Sequence, residues 1–262
     1  MSYSQVYDRI GPGYTGGRRE EPRIAAALAA AIGGADSVLN VGAGTGSYEP
    51  RDRPVGAVEP SAVMAAQRPE HAAPAVRAIA EALPFADGSF GAAMAVLSIH
   101  HWTDKARGLA EMRRVARGPV VLFGGSDRLL NTTWWLHDYF PAARRLVAGR
   151  TYPPERISEV LGSVSVIPVP IPADCADGFE AAYWRRPQAI LDPAIWRATS
   201  ALSLISDTER ASGMSRLSAD LRSGDWERRY GHLLGLGELD LGYRVVVAAG
   251  PPADAWANEV RL

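Results

Sequence analysis

The chain has 262 residues, of which 47% are hydrophobic and 22% charged, a composition typical of globular proteins rather than of disordered or fibrous ones. It carries 28 Lys and Arg against 29 Asp and Glu, so it lacks the basic excess that is usual in nucleic-acid binding proteins. No apolar run approaches the roughly 20 residues that span a bilayer, and the N-terminus lacks the apolar stretch of a secretory signal. The single cysteine, Cys175, excludes an internal disulfide. These features predict a soluble, cytoplasmic protein.

Short apolar runs alternate with amphipathic segments in the first half of the chain, which is the pattern of βαβ units. The alanine-rich residues 21–32 are predicted to form a helix that ends at Gly33. Further helices are predicted from about Ser61 and over 103–116, the latter capped by Thr103 or Asp104. The five predicted strands of this half are 37–41, 55–58, 76–79, 90–98 and 120–123.

The second half changes character. Residues 126–150 are rich in aromatic side chains and are predicted to be helical. A strand is predicted over 164–171, where prolines confine it to a sheet edge or to the strand's end. Residues 173–237 are mostly helical in pattern, and the β-branched run 243–248 predicts a final strand. The large aromatic residues are interpreted as core rather than as a substrate-binding box; they are Trp134, Trp135, Tyr139, Phe140, Tyr183 and Trp184.

These elements predict an α/β fold with a doubly wound, seven-stranded, mostly parallel Rossmann-like sheet. Helical cap insertions are expected after strands 5 and 6, at about 126–152 and 173–240. We find no internal repeat or linker, so 1–262 is predicted to be a single domain with an N-terminal lid at about 1–20.

The most informative stretch is VLNVGAGTG, residues 38–46, in which a buried strand runs into a glycine-rich turn. Glycine adds no Cβ and tolerates unusual backbone angles, so such a turn lets the backbone approach a ligand closely. Glu59 lies at the end of the second strand. In a doubly wound fold that position faces the cofactor crevice, where a carboxylate can accept hydrogen bonds from ribose hydroxyls.

The glycine spacing distinguishes between two cofactor types. Dinucleotide enzymes usually space their glycines as GxGxxG and place a pyrophosphate at the N-terminus of a long helix. Here the spacing is GxGxG, and residues 47–54, SYEPRDRP, are short and broken by proline. A cofactor without phosphates is therefore the better fit.

A second motif, AEALPFADGSF at 80–90, follows at the expected distance. With the glycine-rich turn, it makes the chain resemble the class I S-adenosylmethionine-dependent methyltransferases, in the small-molecule branch that includes the ubiquinone-biosynthesis type. The resemblance runs from about Tyr7 to Phe123.

The resemblance implies a binding site for S-adenosylmethionine and its product S-adenosylhomocysteine. By analogy, the backbone of 42–46 holds the methionine part and Glu59 the ribose, while Tyr14 and Arg18 match a YxxxR pattern that closes over the methionine carboxylate. Ala80 and Glu81 would border the adenine. The cofactor-binding residues implied in this way are Tyr14, Arg18, Asn40, Gly42, Ala43, Gly44, Gly46, Glu59, Pro60, Met64, Ala80, Glu81, Leu83, Leu97 and Ser98.

Within that set, Met64 and Leu83 would pack near the adenine, and Leu97 and Ser98 would sit beside the sulfonium. The sequence departs from the family's pattern at three positions. Asn40 stands where the family usually has an acid, Ile79 where many relatives have aspartate, and Gly91 where aspartate follows Ser-Phe.

His100 and His101 follow the fourth predicted strand, at the edge of the sheet where ligands bind in such folds. Histidine titrates near neutrality, so either could remove a proton from a methyl acceptor, and family analogy favours His101 over His100. A structural role as a helix cap or backbone hydrogen-bond partner is the alternative. No cluster of His, Cys and acids has metal-ligand spacing, so no metal is predicted.

The sequence therefore predicts transfer of a methyl group from S-adenosylmethionine to a small-molecule acceptor in secondary metabolism. It leaves the acceptor atom (O, N or C) and the oligomeric state open, and predicts no nucleic-acid or membrane partner. Two alternatives remain, an NAD(P)-dependent oxidoreductase and a non-catalytic S-adenosylmethionine-binding protein.

Overall fold

The structure, a computed structural model, describes residues 17–148 and 151–250. Tyr14 and most of the predicted N-terminal lid lie outside the described residues. The strands of the main sheet are β1 (Val38–Val41), β2 (Val55–Val58), β3 (Ala75–Val76), β4 (Ala92–Val96), β5 (Val120–Gly125), β6 (Val164–Pro168) and β9 (Tyr243–Ala248). A separate two-stranded sheet pairs β7 (Ile171–Pro172) with β8 (Glu238–Leu239).

The strand order of the main sheet is β3-β2-β1-β4-β5-β9-β6. The first five strands of this row pair in parallel, whereas β9 runs antiparallel to both β5 and β6. The predicted doubly wound, mostly parallel sheet of seven strands is confirmed. The chain order reverses between β1 and β4, and ligands of open α/β sheets bind in the crevice that such a reversal creates.

Helices cover the sheet. They are α1 (Pro22–Ile32), α2 (Ala62–Ala66), α3 (Lys105–Val115), α4 (Leu129–Thr132), α5 (Trp134–Asp138), α6 (Pro141–Ala148), α7 (Pro154–Leu161), α8 (Pro193–Ala198), α9 (Ser200–Leu204), α10 (Asp207–Ser223) and α11 (Asp225–Tyr230). Short 3-10 turns occupy Ile99–His101, Glu180–Tyr183, Pro187–Leu191 and Gly231–Gly235. Across the described part of the chain, no helix is long and apolar enough to cross a membrane.

Side-chain caps explain where the first helices begin. Glu21 accepts a hydrogen bond from Arg23 N at the start of α1, and Ser61 accepts one from Met64 N at the start of α2. Asp104 caps α3 in the same way, so of the two caps predicted for that helix, Thr103 and Asp104, the second is the observed one. The helix predicted from about Ser61 is also confirmed. These caps satisfy backbone N–H groups that a helix leaves without partners in its first turn.

Most strands differ from the predicted ones by at most two residues at either end, and the two larger differences each have a physical reason. The third strand is only Ala75–Val76 rather than 76–79, because the chain leaves the sheet edge and exposes 51% of Ile79. The strand predicted over 164–171 divides in two, since Pro168 and Pro170 have no N–H to continue a ladder. The sequence patterns also missed α7, which packs against α3 and buries Ile157.

The aromatic residues of the second half form the core between the helices and the β5–β9 side of the sheet, which confirms their interpretation as core. Trp135 and Trp184 are fully buried, and the indole of Trp184 donates to Ile171 O at 3.0 Å. The indole of Trp134 in turn donates to Trp184 O at 2.8 Å. Each hydrogen bond satisfies a polar group inside an otherwise apolar cluster.

Close helix packing in this core depends on Gly213 in the middle of α10. A Cβ at this position would overlap the ring of Phe140 and lie 2.7 Å from Tyr139 O. The backbone of α10 therefore lies against the α5–α6 junction at a distance that only glycine permits.

Gly213→Ala should lower the free energy of unfolding by about 1–3 kcal/mol through overpacking, as measured by urea denaturation. In a helix interior a Gly→Ala change ordinarily stabilises the protein by about 0.5–1 kcal/mol. At Gly213 we therefore expect a change in stability of the opposite sign. Ser215→Ala, at an exposed position of the same helix, is the control and should be neutral or slightly stabilising. A stabilised Gly213→Ala protein would contradict this account of the packing.

Candidate functional site

A cavity of about 470 Å³ lies at the carboxyl ends of β1 and β4, where the sheet order reverses. Its lining residues are Arg18, Asn40, Gly42, Ala43, Gly44, Thr45, Ser47, Tyr48, Met64, Val96 and Leu97. We call it the first cavity. The structure brings together here seven of the residues predicted to bind the cofactor, namely Arg18, Asn40, Gly42, Ala43, Gly44, Met64 and Leu97.

The glycine-rich turn adopts backbone angles that favour glycine. Gly42, Gly44 and Gly46 have φ angles of 70°, 51° and 93°. At Gly42 a Cβ would lie 2.6 Å from the Cβ of Ser98, so glycine is needed here for packing between β1 and β4. Ser98 is 3% exposed and its hydroxyl donates to Val41 O at 2.9 Å, which places it beneath the turn.

Glu59 connects the turn to the start of α2. Its carboxylate is fully buried and accepts one hydrogen bond from Gly44 N at 2.8 Å and another from Ser61 N at 2.7 Å. Burial raises the pKa of the Glu59 carboxyl, although the two N–H donors oppose that shift. Pro60, between Glu59 and Ser61, is half-buried.

Asn40 presents an unsatisfied acceptor at the first cavity. The residue is 2% exposed, and its Nδ2 donates to Glu49 Oε1 at 3.1 Å. That hydrogen bond fixes which end of the amide faces Glu49. The Oδ1 atom on the other side is buried and has no hydrogen-bond partner among the described residues. A buried acceptor in this state is costly unless a ligand supplies the donor.

Arg68 supports the turn from the other side. Its Nη2 lies 2.7 Å from Glu49 Oε1 in a salt bridge whose two side chains are 5% and 7% exposed. Its Nη1 donates to Gly44 O at 3.2 Å, and its Nε donates to Ala73 O at 2.8 Å. One buried guanidinium therefore both neutralises Glu49 and anchors a carbonyl of the glycine-rich turn.

Arg18 lies in the first cavity and also binds Asp177. Its Nε and Nη2 donate to the two oxygens of Asp177 at 2.5 Å and 3.0 Å. Tyr48, which has a φ of 66°, donates its hydroxyl to Asp177 Oδ2 at 2.8 Å. Sequence reasoning missed Asp177, because it lies 159 residues from Arg18 and no motif marks it.

The residues predicted to border the adenine lie outside the lining of the first cavity. Ala80 and Leu83 are each 5% exposed and belong to the core beneath α3. The carboxylate of Glu81 accepts hydrogen bonds from Thr103 N at 2.7 Å and Asp104 N at 3.0 Å. Glu81 thus satisfies two backbone N–H groups that immediately precede α3.

The glycine at position 91 has a local explanation. A Cβ there would overlap Asp36 Oδ1, so an aspartate side chain could not be accommodated without a backbone shift. Asp36 itself pairs with Arg117 at 2.9 Å. Asp36, in the loop before β1, therefore occupies the space next to Gly91.

A second cavity adjoins the first and shares Leu97 with it. It spans about 430 Å³ with the open solvent at its mouth included, and its described lining residues are Leu97, His100, Gly125, Leu129, Val147, Thr151, Glu180, Ser200 and Tyr243. Leu97 has a φ of 51°, which is uncommon for a leucine, and such strain is concentrated at functional sites. We call this space the second cavity.

Of the two predicted catalytic histidines, His100 lines the second cavity, whereas His101 is absent from its described lining. The two imidazole rings lie 3.8 Å apart, centroid to centroid. A further cavity of about 440 Å³ shares His100 and Gly125 with the second one, so His100 lies at the junction of the two spaces.

The buried pair of Arg68 and Glu49 generates a stability prediction. Arg68→Met should lower the free energy of unfolding by about 3–5 kcal/mol, because it leaves Glu49 buried without its counter-charge. Adding Glu49→Gln should restore part of that loss. Both can be measured by urea denaturation, with Arg51→Met at an exposed position as the control. A double variant less stable than Arg68→Met alone would contradict the assignment.

Comparison with known proteins adds independent information. The family described as "Methyltransferase domain" matches residues 39–122. A protein from Anabaena variabilis ATCC 29413, described as a methyltransferase from an antibiotic biosynthesis pathway, is 32% identical, with a TM-score of 0.81. The alignment covers 88% of this chain and 98% of that one. A comparison with curated proteins found no match.

Two more distant structures show the same fold. The [4+2]-cyclase SpnF is 19% identical over 95% of this chain and 94% of its own, with a TM-score of 0.58. The YcgJ protein from Bacillus subtilis is 15% identical over 93% of this chain and 98% of its own, with a TM-score of 0.50. With the sheet order and the glycine-rich turn, these findings establish that the chain belongs to the class I S-adenosylmethionine-dependent methyltransferases, whose cofactor is S-adenosylmethionine.

Proposed function

We propose that this protein transfers a methyl group from S-adenosylmethionine to a small-molecule acceptor. The observation that carries the proposal is that the two cavities meet at Leu97. The first lies at the glycine-rich turn, and the second is lined largely by residues of the second half of the chain. Methyl transfer requires a donor and an acceptor that meet in line with water excluded, and two adjoining spaces suit that requirement.

The first cavity fits S-adenosylmethionine together with Glu59, which is buried next to its glycine-rich turn and is not part of its lining. The buried Oδ1 of Asn40 lacks a donor, and the ammonium of the methionine part carries N–H donors. The Glu59 carboxylate beside Gly44 would accept hydrogen bonds from the ribose, and Arg18 would face the methionine carboxylate while Asp177 holds its guanidinium. Tyr14, proposed to assist Arg18, lies outside the described residues.

When bound, S-adenosylmethionine supplies an electrophilic methyl carbon on a sulfonium. The protein's part is to orient the acceptor and, for an acceptor that must lose a proton, to receive it. His100 lines the second cavity and is the better placed of the two histidines for that role. Family analogy favours His101 instead. In this arrangement its role would be to contact the ring of His100 rather than to line the second cavity.

We also propose that residues 126–152 and 173–240 act as caps, with an N-terminal lid at about 1–20, on a single domain. Support comes from the second cavity, whose walls both regions supply. Their described contributions are Leu129, Val147, Thr151, Glu180 and Ser200.

Two alternatives are disfavoured by particular observations. An NAD(P)-dependent oxidoreductase would place a pyrophosphate at a helix N-terminus after the glycine-rich turn, but residues 42–54 contain no helix. A non-catalytic S-adenosylmethionine-binding protein would have no need of an acceptor space. The fold likeness to SpnF, a cyclase, makes a direct test of methyl transfer necessary. The Anabaena relative supports an acceptor from secondary metabolism.

Isothermal titration with S-adenosylmethionine and S-adenosylhomocysteine, with NAD and NADP as controls, tests the cofactor assignment. We expect micromolar binding of the two sulfur compounds alone. Incubation with methyl-labelled S-adenosylmethionine and a panel of small hydroxylated, amine and aromatic acceptors then tests transfer. Binding of the dinucleotides alone would refute the proposal. Cofactor binding without label transfer to any acceptor would favour the non-catalytic alternative.

The raised pKa of Glu59 predicts how cofactor affinity depends on pH. The charged carboxylate accepts ribose hydroxyls better than the protonated acid, so bound cofactor should lower this pKa towards its ordinary value of 4.5. Affinity for S-adenosylhomocysteine should therefore rise with pH through the raised pKa of Glu59 and then level off. Titration calorimetry over a pH series measures this.

Glu59→Gln is the matched control, because it removes the titrating group and keeps the shape. Its affinity should be lower by about 1–3 kcal/mol at neutral pH and should lose that rise. Thermal unfolding of the variant checks that the loss of affinity does not reflect a loss of fold. An unchanged pH profile in Glu59→Gln would show that another group titrates.

A further inference from the structure

The strand β5 ends in two glycines, Gly124 and Gly125, at the edge of the sheet where the second cavity lies. The register with β9 sets Gly125 opposite Tyr243 and Gly124 opposite Arg244. Successive residues of a strand point to opposite faces of a sheet. Gly125 and Tyr243 therefore share the face that lines the second cavity, whereas Gly124 and Arg244 share the other face. Neither glycine covers the carboxyl end of β5 with a side chain.

The further cavity that adjoins the second one lies on this other face of the sheet, and we call it the third cavity. Its described lining residues are Ile99, His100, Leu122, Gly124, Gly125, Ser126, Tyr152, Pro154, Ile157, Arg244 and Val246. It shares His100 and Gly125 with the second cavity. The two spaces therefore meet around the carboxyl end of β5, just as the first and second cavities meet at Leu97.

The space beside Gly124 is open. A Cβ added to this glycine would have no heavy atom within 4 Å beyond its chain neighbours. At Gly125 an added Cβ would lie 3.1 Å from Leu129 Cδ2, so the neighbouring position is tighter. Residues in the interior of a strand normally pack closely on their surroundings. The missing side chain at Gly124 therefore leaves room that a ligand can occupy and that a larger residue would fill.

The floor of the third cavity is apolar. Its aliphatic residues, each between 3% and 7% exposed, are Ile99, Leu122, Ile157 and Val246. Arg244 is the permanently charged residue of the described lining, and its two terminal nitrogens donate to the carboxylate of Asp240 at 2.7 Å and 3.1 Å. This pairing neutralises the guanidinium. Because charged groups are costly to remove from water, such a space favours an uncharged, apolar group.

We propose that the second and third cavities form one continuous acceptor site, and that the methyl acceptor is an elongated molecule. Its reacting end lies in the second cavity beside Leu97, and its uncharged, apolar tail passes Gly125 and ends in the third cavity. The inference rests on the proposed function and adds the shape and polarity of the acceptor. Gly124 is thus a specificity-determining residue, because the absence of a side chain there leaves room for the tail.

The straight-chain alcohols 1-hexanol, 1-octanol and 1-decanol are the probes for this site. Each is titrated calorimetrically into the protein with S-adenosylhomocysteine at saturation. The head group is constant in this series, and only the length of the apolar chain changes. Each pair of added methylenes should tighten binding by about tenfold, because it is buried in the third cavity.

Gly124→Leu fills the third cavity and should remove this dependence on length. In the variant 1-decanol should bind no more tightly than 1-octanol, whereas 1-hexanol should bind as it does to the wild-type protein. Gly124→Ala adds only a Cβ and should give a smaller loss in the same direction. Gly34→Leu is the matched control, since it adds the same side chain at an exposed glycine with equally open surroundings and should change nothing.

Three outcomes would overturn the inference. They are the absence of binding by every alcohol, an affinity that does not rise from 1-hexanol to 1-decanol, and a rise that persists unchanged in Gly124→Leu and Gly124→Ala. The third outcome would mean that the chains bind elsewhere on the protein. Thermal unfolding of each variant checks that a loss of binding does not reflect a loss of fold.

Affinity for S-adenosylhomocysteine separates this inference from the proposed function. It should be the same in the wild-type protein, Gly124→Leu and Gly34→Leu, because neither glycine lines the first cavity. If S-adenosylhomocysteine binds but the dependence on length is absent, the shape of the acceptor is wrong and the proposed function stands. If S-adenosylhomocysteine fails to bind to the wild-type protein, both fail. A selective loss of its binding in Gly124→Leu would assign Gly124 to the cofactor site and overturn the inference.

Discussion

The buried guanidinium of Arg68 neutralises Glu49 and holds a carbonyl of the glycine-rich turn in one position. Glu49 in turn orients the amide of Asn40, whose other end faces the first cavity as an unsatisfied acceptor. Charges removed from water are costly unless they are paired and fully hydrogen-bonded, so this small network has few alternative arrangements. The shape of the first cavity depends on it, because the turn contains three glycines and has little conformational preference of its own.

Two positions at which the sequence departs from the pattern of the resemblance have local structural explanations. The amide of Asn40 donates to Glu49, which Arg68 neutralises. At position 91 a Cβ would overlap Asp36 Oδ1, so the space that a longer side chain would need is already occupied. The surroundings of each residue, rather than its own position in a motif, therefore set which side chain fits.

The second half of the chain contributes to both cavities. Asp177 holds Arg18 at the first cavity, and Glu180, three residues later, places a carboxylate in the second. The same segment thus contacts both spaces, and Leu97 lies between them with a strained backbone. Close packing of α10 against the α5–α6 junction holds the surrounding helices in place. The two cavities are consequently lined by residues from widely separated parts of the chain.

The order of the strands along the chain, the cap of α3 and the position of the glycine-rich turn could be predicted from the sequence, because they follow from local periodicity, capping and backbone preferences. The motif at 38–46 also predicted that Asn40, Gly42, Ala43 and Gly44 lie together, and the resemblance added Met64 and Leu97; all six line the first cavity. The pairing of Arg18 with Asp177, the support by Arg68 and the place of His100 are visible only in the folded protein. Those contacts join residues far apart in the chain, and no spacing rule predicts them because they form only when the sheet and the helices around it have packed.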